Sequence, residues 1–439
     1  MMLHRRALIL LYSVLCLFLI SCVTASMSHG PASSYAAGSE FAEAVYFIEK
    51  NQNELYTKND LVLKSLDIGL LSHYNRDFKY SSMQLSEAER LMYEYYTKSV
   101  SQSITSFLLN DNVIDYAGDP YEDIYTNLFM ALNYASQGNI DSAFVEIRRF
   151  DNKQKELSLT YQGAIQEAKH QVAAGNEFSG NVEFHNSALA RYISMLLYRS
   201  EGMFDSAEID YKYMQSAFAT QRSIYDFPIP SSVKDELSVP RGKGRLNVLS
   251  FTGLAPVKHE EIVRFATEDT YFKLAIPVMQ KQNSTVHAIE VEILSYETGV
   301  TNNIRLEKIE SIENIALDTF KQKQTILYIK AAARALAKSS TTAIFDDQAG
   351  RHGGEVGLLF SVLKIASAVS NEVTEKADIR TSRYFPASAS VGGISLDPGT
   401  YLVMVRYLDY SGRTISVEEF PGVKVQPDTL NLLESVCLN

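Results

Sequence analysis

The sequence predicts an α+β chain: an array of paired helices, then a mixed α/β half that ends in an antiparallel β meander. Three observations predict it. Between residues 40 and 225 apolar side chains recur at three- and four-residue steps, and Pro120 is the one internal proline. After Tyr225, the prolines Pro228, Pro230 and Pro240 gather around Ser231-Ser232, a linker composition. Beyond them apolar and polar residues alternate, as over His287–Ile293 and Tyr401–Tyr407, the period of a half-buried strand.

The start has three parts in order: basic His4-Arg5-Arg6, an apolar run from Ala7 to Ile20, then Leu19-Ile20-Ser21-Cys22. The run has signal-peptide length and is short for a membrane span. Its end resembles the lipobox of bacterial lipoproteins. That resemblance implies cleavage before Cys22, a diacylglyceryl thioether on its sulfur, and a location in the cell envelope. Two or three acyl chains anchor a protein stably where one does not. Val23 rather than Asp after the cysteine favours the periplasmic face of the outer membrane. Val23–Gly38 is rich in Ser, Ala and Gly, as a flexible tether is. The expected organisation is a signal peptide (1–21), a lipidated tether (22–39), helical repeats (40–226), a linker (227–244), a mixed α/β domain (245–430) and a tail (431–439).

Within the helical half, Asn133–Ala143 has a near copy at Leu197–Ala207. Both segments carry Tyr, then Gly four residues on, an apolar residue after the glycine, and Asp-Ser-Ala. Gly138 and Gly202 suit a left-handed turn between helices. Ile140 and Phe204 seal that turn, and Ala143 and Ala207 are small where two helices cross. Fainter copies lie at Phe41 with Ala44, and at Phe78 with Ser81 and the earlier Gly69. The turn position therefore recurs at 41, 78, 140 and 204, with no glycine before 78. These segments resemble the tetratricopeptide repeat, a helical hairpin of about 34 residues. The resemblance implies a curved array whose first helices line a concave partner-binding face. Tyr121, Tyr125, Asn127, Tyr134, Arg191 and Tyr198 are the residues expected on that face.

In the second half Leu246–Phe251 reads as a strand running into Gly253-Leu254-Ala255-Pro256. Ile309–Lys338 reads as a long amphipathic helix ending in Ala331-Ala332-Ala333, and Val356–Val369 as a buried helix. Val391–Leu396, a Pro398-Gly399 turn, Tyr401–Tyr407, a Ser411-Gly412 turn and Thr414–Glu419 read as the closing meander. With Pro120-Tyr121-Glu122, Gly253–Val257, Lys330–Lys338 and Leu396–Tyr401, this order is similar to a family of bacterial lipoproteins. Its members have amino-terminal tetratricopeptide-like repeats and a carboxy-terminal α/β domain, and no activity is assigned to them. The resemblance implies partners in cell-envelope assembly.

No motif announces chemistry. Gly242-Lys243-Gly244 lacks the spacing and the Lys-Ser or Lys-Thr of a phosphate loop. His259-Glu260-Glu261 lacks a second histidine for zinc. Asp346, Asp347 and His352 sit among glycines in a polar loop, and Cys437 stands alone near the carboxy terminus. No cofactor or metal is called for. The net charge of −11 repels phosphate backbones, so nucleic acid is not an expected partner. With Cys16 in the signal and Cys22 lipidated, Cys437 has no partner for a disulfide. The expected function is a non-enzymatic scaffold or adaptor held to the membrane by lipid and binding an envelope protein. The alternative is a ligand-binding component for a peptide, glycan or lipid in a transport or cell-wall system.

Overall fold

The computed structural model describes residues 28–101, 114–171, 184–266, 271–321, 324 and 376–439. The signal region with Cys22, the Ala331–Ala333 run, Asp346, Asp347, His352 and Val356–Val369 lie outside the described residues. The chain is α+β, with paired helices first and a β-rich region of largely antiparallel sheets after them.

The helices are α1 (Gly30–Ala37), α2 (Phe41–Lys50), the single turn α3 (Gln52–Leu55), α4 (Leu61–Tyr74) and α5 (Phe78–Ser101). They continue with α6 (Pro120–Ser136), α7 (Ile140–Gln171), α8 (Ala188–Ser200) and α9 (Phe204–Thr220). Four hairpins result, α1–α2, α4–α5, α6–α7 and α8–α9. Their second helices begin at Phe41, Phe78, Ile140 and Phe204, the recurring position of the sequence pattern. Two residues earlier the backbone is left-handed each time, at Ser39, Arg76, Gly138 and Gly202. A side chain at such a site costs about 1–2 kcal/mol. Arg76 offsets that cost by reaching the β half: its guanidinium donates to the Glu434 carbonyl at 2.7 Å and lies 4.7 Å from the Phe420 ring. Three residues into each second helix the side chain is small and fully buried, at Ala44, Ser81, Ala143 and Ala207. At the second hairpin the approach is so close that a Cβ on Gly69 would stand 2.7 Å from Leu85.

The strands are β1 (Gly244–Thr252), β2 (Val257–Ala266), β3 (Tyr271–Gln280), β4 (Ala288–Ser295), β5 (Thr301–Arg305) and β6 (Glu307–Ser311). After them come β7 (Ser388–Leu396), β8 (Gly399–Leu408), β9 (Thr414–Val425) and β10 (Asn431–Cys437). One sheet has the order β10-β1-β7-β6, a second β5-β4-β8-β9, and β2-β3 is a separate hairpin. Every neighbouring pair is antiparallel except β1 with β10. The two sheets face each other over Leu246, Val248, Val291, Ile293, Val403, Val405 and Tyr407. The other face of the first sheet, with Leu249, Phe251 and Val391, joins the helical core. β1 is therefore buried on both faces along its whole length.

Four expectations are corrected. The closing strands are not a meander: β8 and β9 pair, but β7 and β10 flank β1 in the other sheet. Pro398 has no N–H to give a ladder, and the chain turns between sheets there. Residues 431–439 are not a tail, because β10 completes the first sheet and Cys437 is buried in the sandwich. Residues 227–244 are more than a linker, since Ser231–Leu237 form a 3₁₀ helix that buries Glu236. Ile309–Ser311 belongs to strand β6, and helix starts only after it, over residues 312–321.

Candidate functional site

The first helices α4, α6 and α8 lie between two layers, whereas α1 buries only Ala32 and Ala36. On one side stand α2, α5, α7 and α9; on the other, the chain's own first sheet and the segment 376–387. In α6 every residue from Pro120 to Asn133 except Asp123 is buried. The concave face expected to receive a partner is therefore filled from within.

The six residues placed on that face by the sequence divide accordingly. Tyr121 and Tyr125 turn to the β half. The Tyr121 ring lies 5.6 Å from Phe385, and the Tyr125 hydroxyl donates to Glu310 at 2.5 Å. Asn127, Arg191 and Tyr198 turn to the second helices. Asn127 donates to Glu89 at 2.9 Å and Glu146 at 2.7 Å. Arg191 pairs with Asp151 at 2.7 Å and Asp210 at 3.2 Å, and Tyr198 stacks on Phe144 at 4.7 Å. Tyr134 is half-buried against the same core. None presents an open face, because α6 and α8 are clasped on both sides.

Three buried acids tie the halves together; the sequence assigns a role to none of them, and Glu122 enters only within the Pro120-Tyr121-Glu122 mark. Glu310 on β6 accepts from Tyr125, from Ser187 Oγ at 2.6 Å, from Tyr225 at 2.8 Å and from the Leu189 amide at 3.1 Å. Its carboxylate thus sits at the amino terminus of α8, where the helix dipole favours negative charge. Burial nevertheless pushes its pKa up, against the pull of these donors. Asp67 on α4 accepts from Tyr56 at 2.8 Å and from the Ser382 hydroxyl and Arg383 amide, both at 2.9 Å. Glu122 reaches back to the Asp119 amide at 2.8 Å and takes the Ser382 amide at 2.7 Å. Lys258, also buried, pairs with Asp119 at 2.8 Å. An acid between isoleucines, as in Ile309-Glu310-Ser311-Ile312, was the one available signal in the sequence.

Burial, reinforced by the Asp119 carboxylate, pushes Glu122 from its ordinary 4.5 up to about 7. Between pH 4.5 and 7 the unfolded chain releases a proton that the folded chain keeps, so stability falls as pH rises through that window. The contribution is on the order of 3 kcal/mol. Glu122→Gln should remove this decline, read as the difference between melting temperatures at pH 5 and pH 7.5. An unchanged decline would place its origin elsewhere.

A cavity of about 390 Å³ lies where α2 and α3 meet α4 and α5. Leu61, Ile68 and Leu91 are its apolar lining, and Gln52, Ser65, Tyr80 and Gln84 its polar one, with Glu49, Lys64 and Glu87 also bordering it. Among the described residues no group of three His, Cys, Asp or Glu is placed to hold a metal ion, and no helix is long and apolar enough to cross a membrane.

No protein-family model, curated protein sequence or solved structure matches the chain.

Proposed function

We propose that this chain is a lipid-anchored envelope scaffold whose partner docks on the outward face of the second helices, not on the face of the first. The observation that carries this reading is the filling of the first-helix face by the chain's own β half. Large apolar side chains are left exposed on the opposite side, among them Tyr46, Met83 and Tyr93, and Phe204, Ile209 and Tyr213 on α9. Tyr93 is 75% exposed. Exposed apolar side chains gathered on one face are what a partner would cover. The helical hairpins are tetratricopeptide-like in this reading, and Cys22 carries the lipid that fixes them to a membrane.

A photo-crosslinker at Tyr93 or Ile209, in cells carrying either native Cys22 or Cys22→Ala, tests the proposal. The expected result is a defined envelope protein captured from both positions by the tethered form. The same probe at Tyr410, exposed beyond the second sheet, should capture nothing comparable. Equal capture from all three positions, or none, would overturn the assignment of the surface. The second reading, a ligand-binding component, is favoured by the cavity between α4 and α5.

A further inference from the structure

The hairpins repeat closely enough for their junctions to be compared position by position. At the junction of the third and fourth hairpins, Arg191 fills the space above α8. It stands thirteen residues before the start of α9 and bridges Asp151 and Asp210, eleven and six residues into their helices. The junction before it repeats the plan. Asn127 occupies the same place before α7, Glu89 and Glu146 are the acids at eleven and six, and Lys153 supplies the cation, 2.8 Å from Glu89. Both junctions are closed by side chains of the chain itself.

At the first junction the same three positions hold Ser65, Gln52 and Gln84. The filling side chain has shrunk to a hydroxymethyl and both acids have become amides. The cavity is the space that remains. Its charged neighbours are already engaged: Lys64 donates to Gln52 at 3.2 Å, Glu87 is held by Arg90 at 2.7 Å, and Glu49 accepts from the Tyr80 hydroxyl. Gln84 gives its amide hydrogen to Tyr80 at 3.1 Å. Among the described residues, the Ser65 hydroxyl and the Gln84 carbonyl have no hydrogen-bond partner within the chain and border the opening. One donor and one acceptor thus border an apolar floor.

We propose that this open junction binds a partner peptide, pairing one main-chain amide with Ser65 and Gln84 and seating one apolar side chain on Leu61, Ile68 and Leu91. A secondary amide offers the carbonyl that Ser65 needs and the N–H that Gln84 needs. The floor takes a branched aliphatic group more readily than a hydroxyl-covered sugar ring. The inference rests on the outward face being the docking surface, and it names the contact made there.

The probe is N-acetyl-leucine N-methylamide, titrated into the mature chain with labelled Leu and Ile methyls. The expected result is saturable shifts at Leu61, Ile68 and Leu91, weakened about threefold to tenfold by Ser65→Ala, the loss of one hydrogen bond. The triple variant Gln52→Asp/Ser65→Arg/Gln84→Asp rebuilds the closed junction and should abolish binding while leaving Ile293 in the second sheet unshifted. Should that variant not fold, the Ser65→Ala ratio decides. Shifts that survive in both variants, or no shifts in the native chain, would overturn the proposal. A response to N-acetylglucosamine with none to the leucine compound would overturn it in favour of a saccharide. Crosslinking at Tyr93 and Ile209 reads positions outside the cavity, so failure of the surface and failure of the pocket are told apart.

Discussion

Replacing Glu236 by alanine should cost about 3–5 kcal/mol, the typical penalty for leaving buried charge unpaired. Glu236 is completely buried at the meeting of α8, the 3₁₀ helix and β1. It accepts from Arg199, from Arg245 Nε at 2.9 Å and from Asn247 Nδ2 at 2.7 Å. Arg199 also donates to Asn247 at 2.9 Å, which in turn donates to the Tyr192 hydroxyl at 3.0 Å. Two guanidinium groups therefore share one carboxylate. Gly393 makes room for them, since a Cβ there would stand 2.5 Å from Glu236 and 2.9 Å from Arg245. Without the carboxylate, two cations would face each other in a closed space. Glu236→Gln keeps the packing and some hydrogen bonds, so it should lose less than alanine does. Urea unfolding at pH 7 measures both. A loss under about 1 kcal/mol for the alanine variant would mean that water reaches the arginines and screens them.

The second large effect is expected at Phe129, where truncation to alanine should cost about 3–5 kcal/mol. Its ring is fully buried and touches every layer of the junction. It lies 4.9 Å from His73 and 6.0 Å from Tyr74 on α4, 5.1 Å from Phe251 on β1 and 6.0 Å from Phe385. Because one core runs through helices and sheet, helical and aromatic circular-dichroism signals should fall in a single transition. Pairing the change with Phe251→Ala should reveal a coupling of about 0.5–1.5 kcal/mol. Two separate transitions in the native chain would show that the halves unfold independently, contrary to a shared core.

What could be read from the sequence was what is decided locally. The helix starts at 41, 78, 140 and 204 depend on a left-handed residue and a small crossing residue a few positions apart; the small residue leaves a pattern at all four, the left-handed one only where it is Gly138 or Gly202. The alternation at Ile289, Val291 and Ile293, and again at Tyr401, Val403, Val405 and Tyr407, reports burial against a facing sheet. The fate of the first-helix face was hidden, because Tyr121 and Tyr125 look alike whether they meet a foreign partner or Phe385 and Glu310. β10 was missed for the same reason. Asn431–Cys437 is short and carries Glu434, and only its parallel neighbour β1, far upstream, makes it a strand. The first junction was within reach: aligning Ser65, Asn127 and Arg191 by their distance from the next helix needs no coordinates, only the knowledge that these distances are equal.

The parallel pairing of β1 with β10 also bears on how the chain comes to be folded during synthesis. Leu246 cannot meet Asn431 until well over a hundred further residues have been made. Until then the first sheet, which covers Phe129 and Tyr125 on the inner side of the helices, lacks its edge strand. A nascent chain of this design spends the interval with a sticky surface uncovered, the condition under which chaperones are recruited. Holding the chain extended until β10 is available is what this pairing demands of its synthesis.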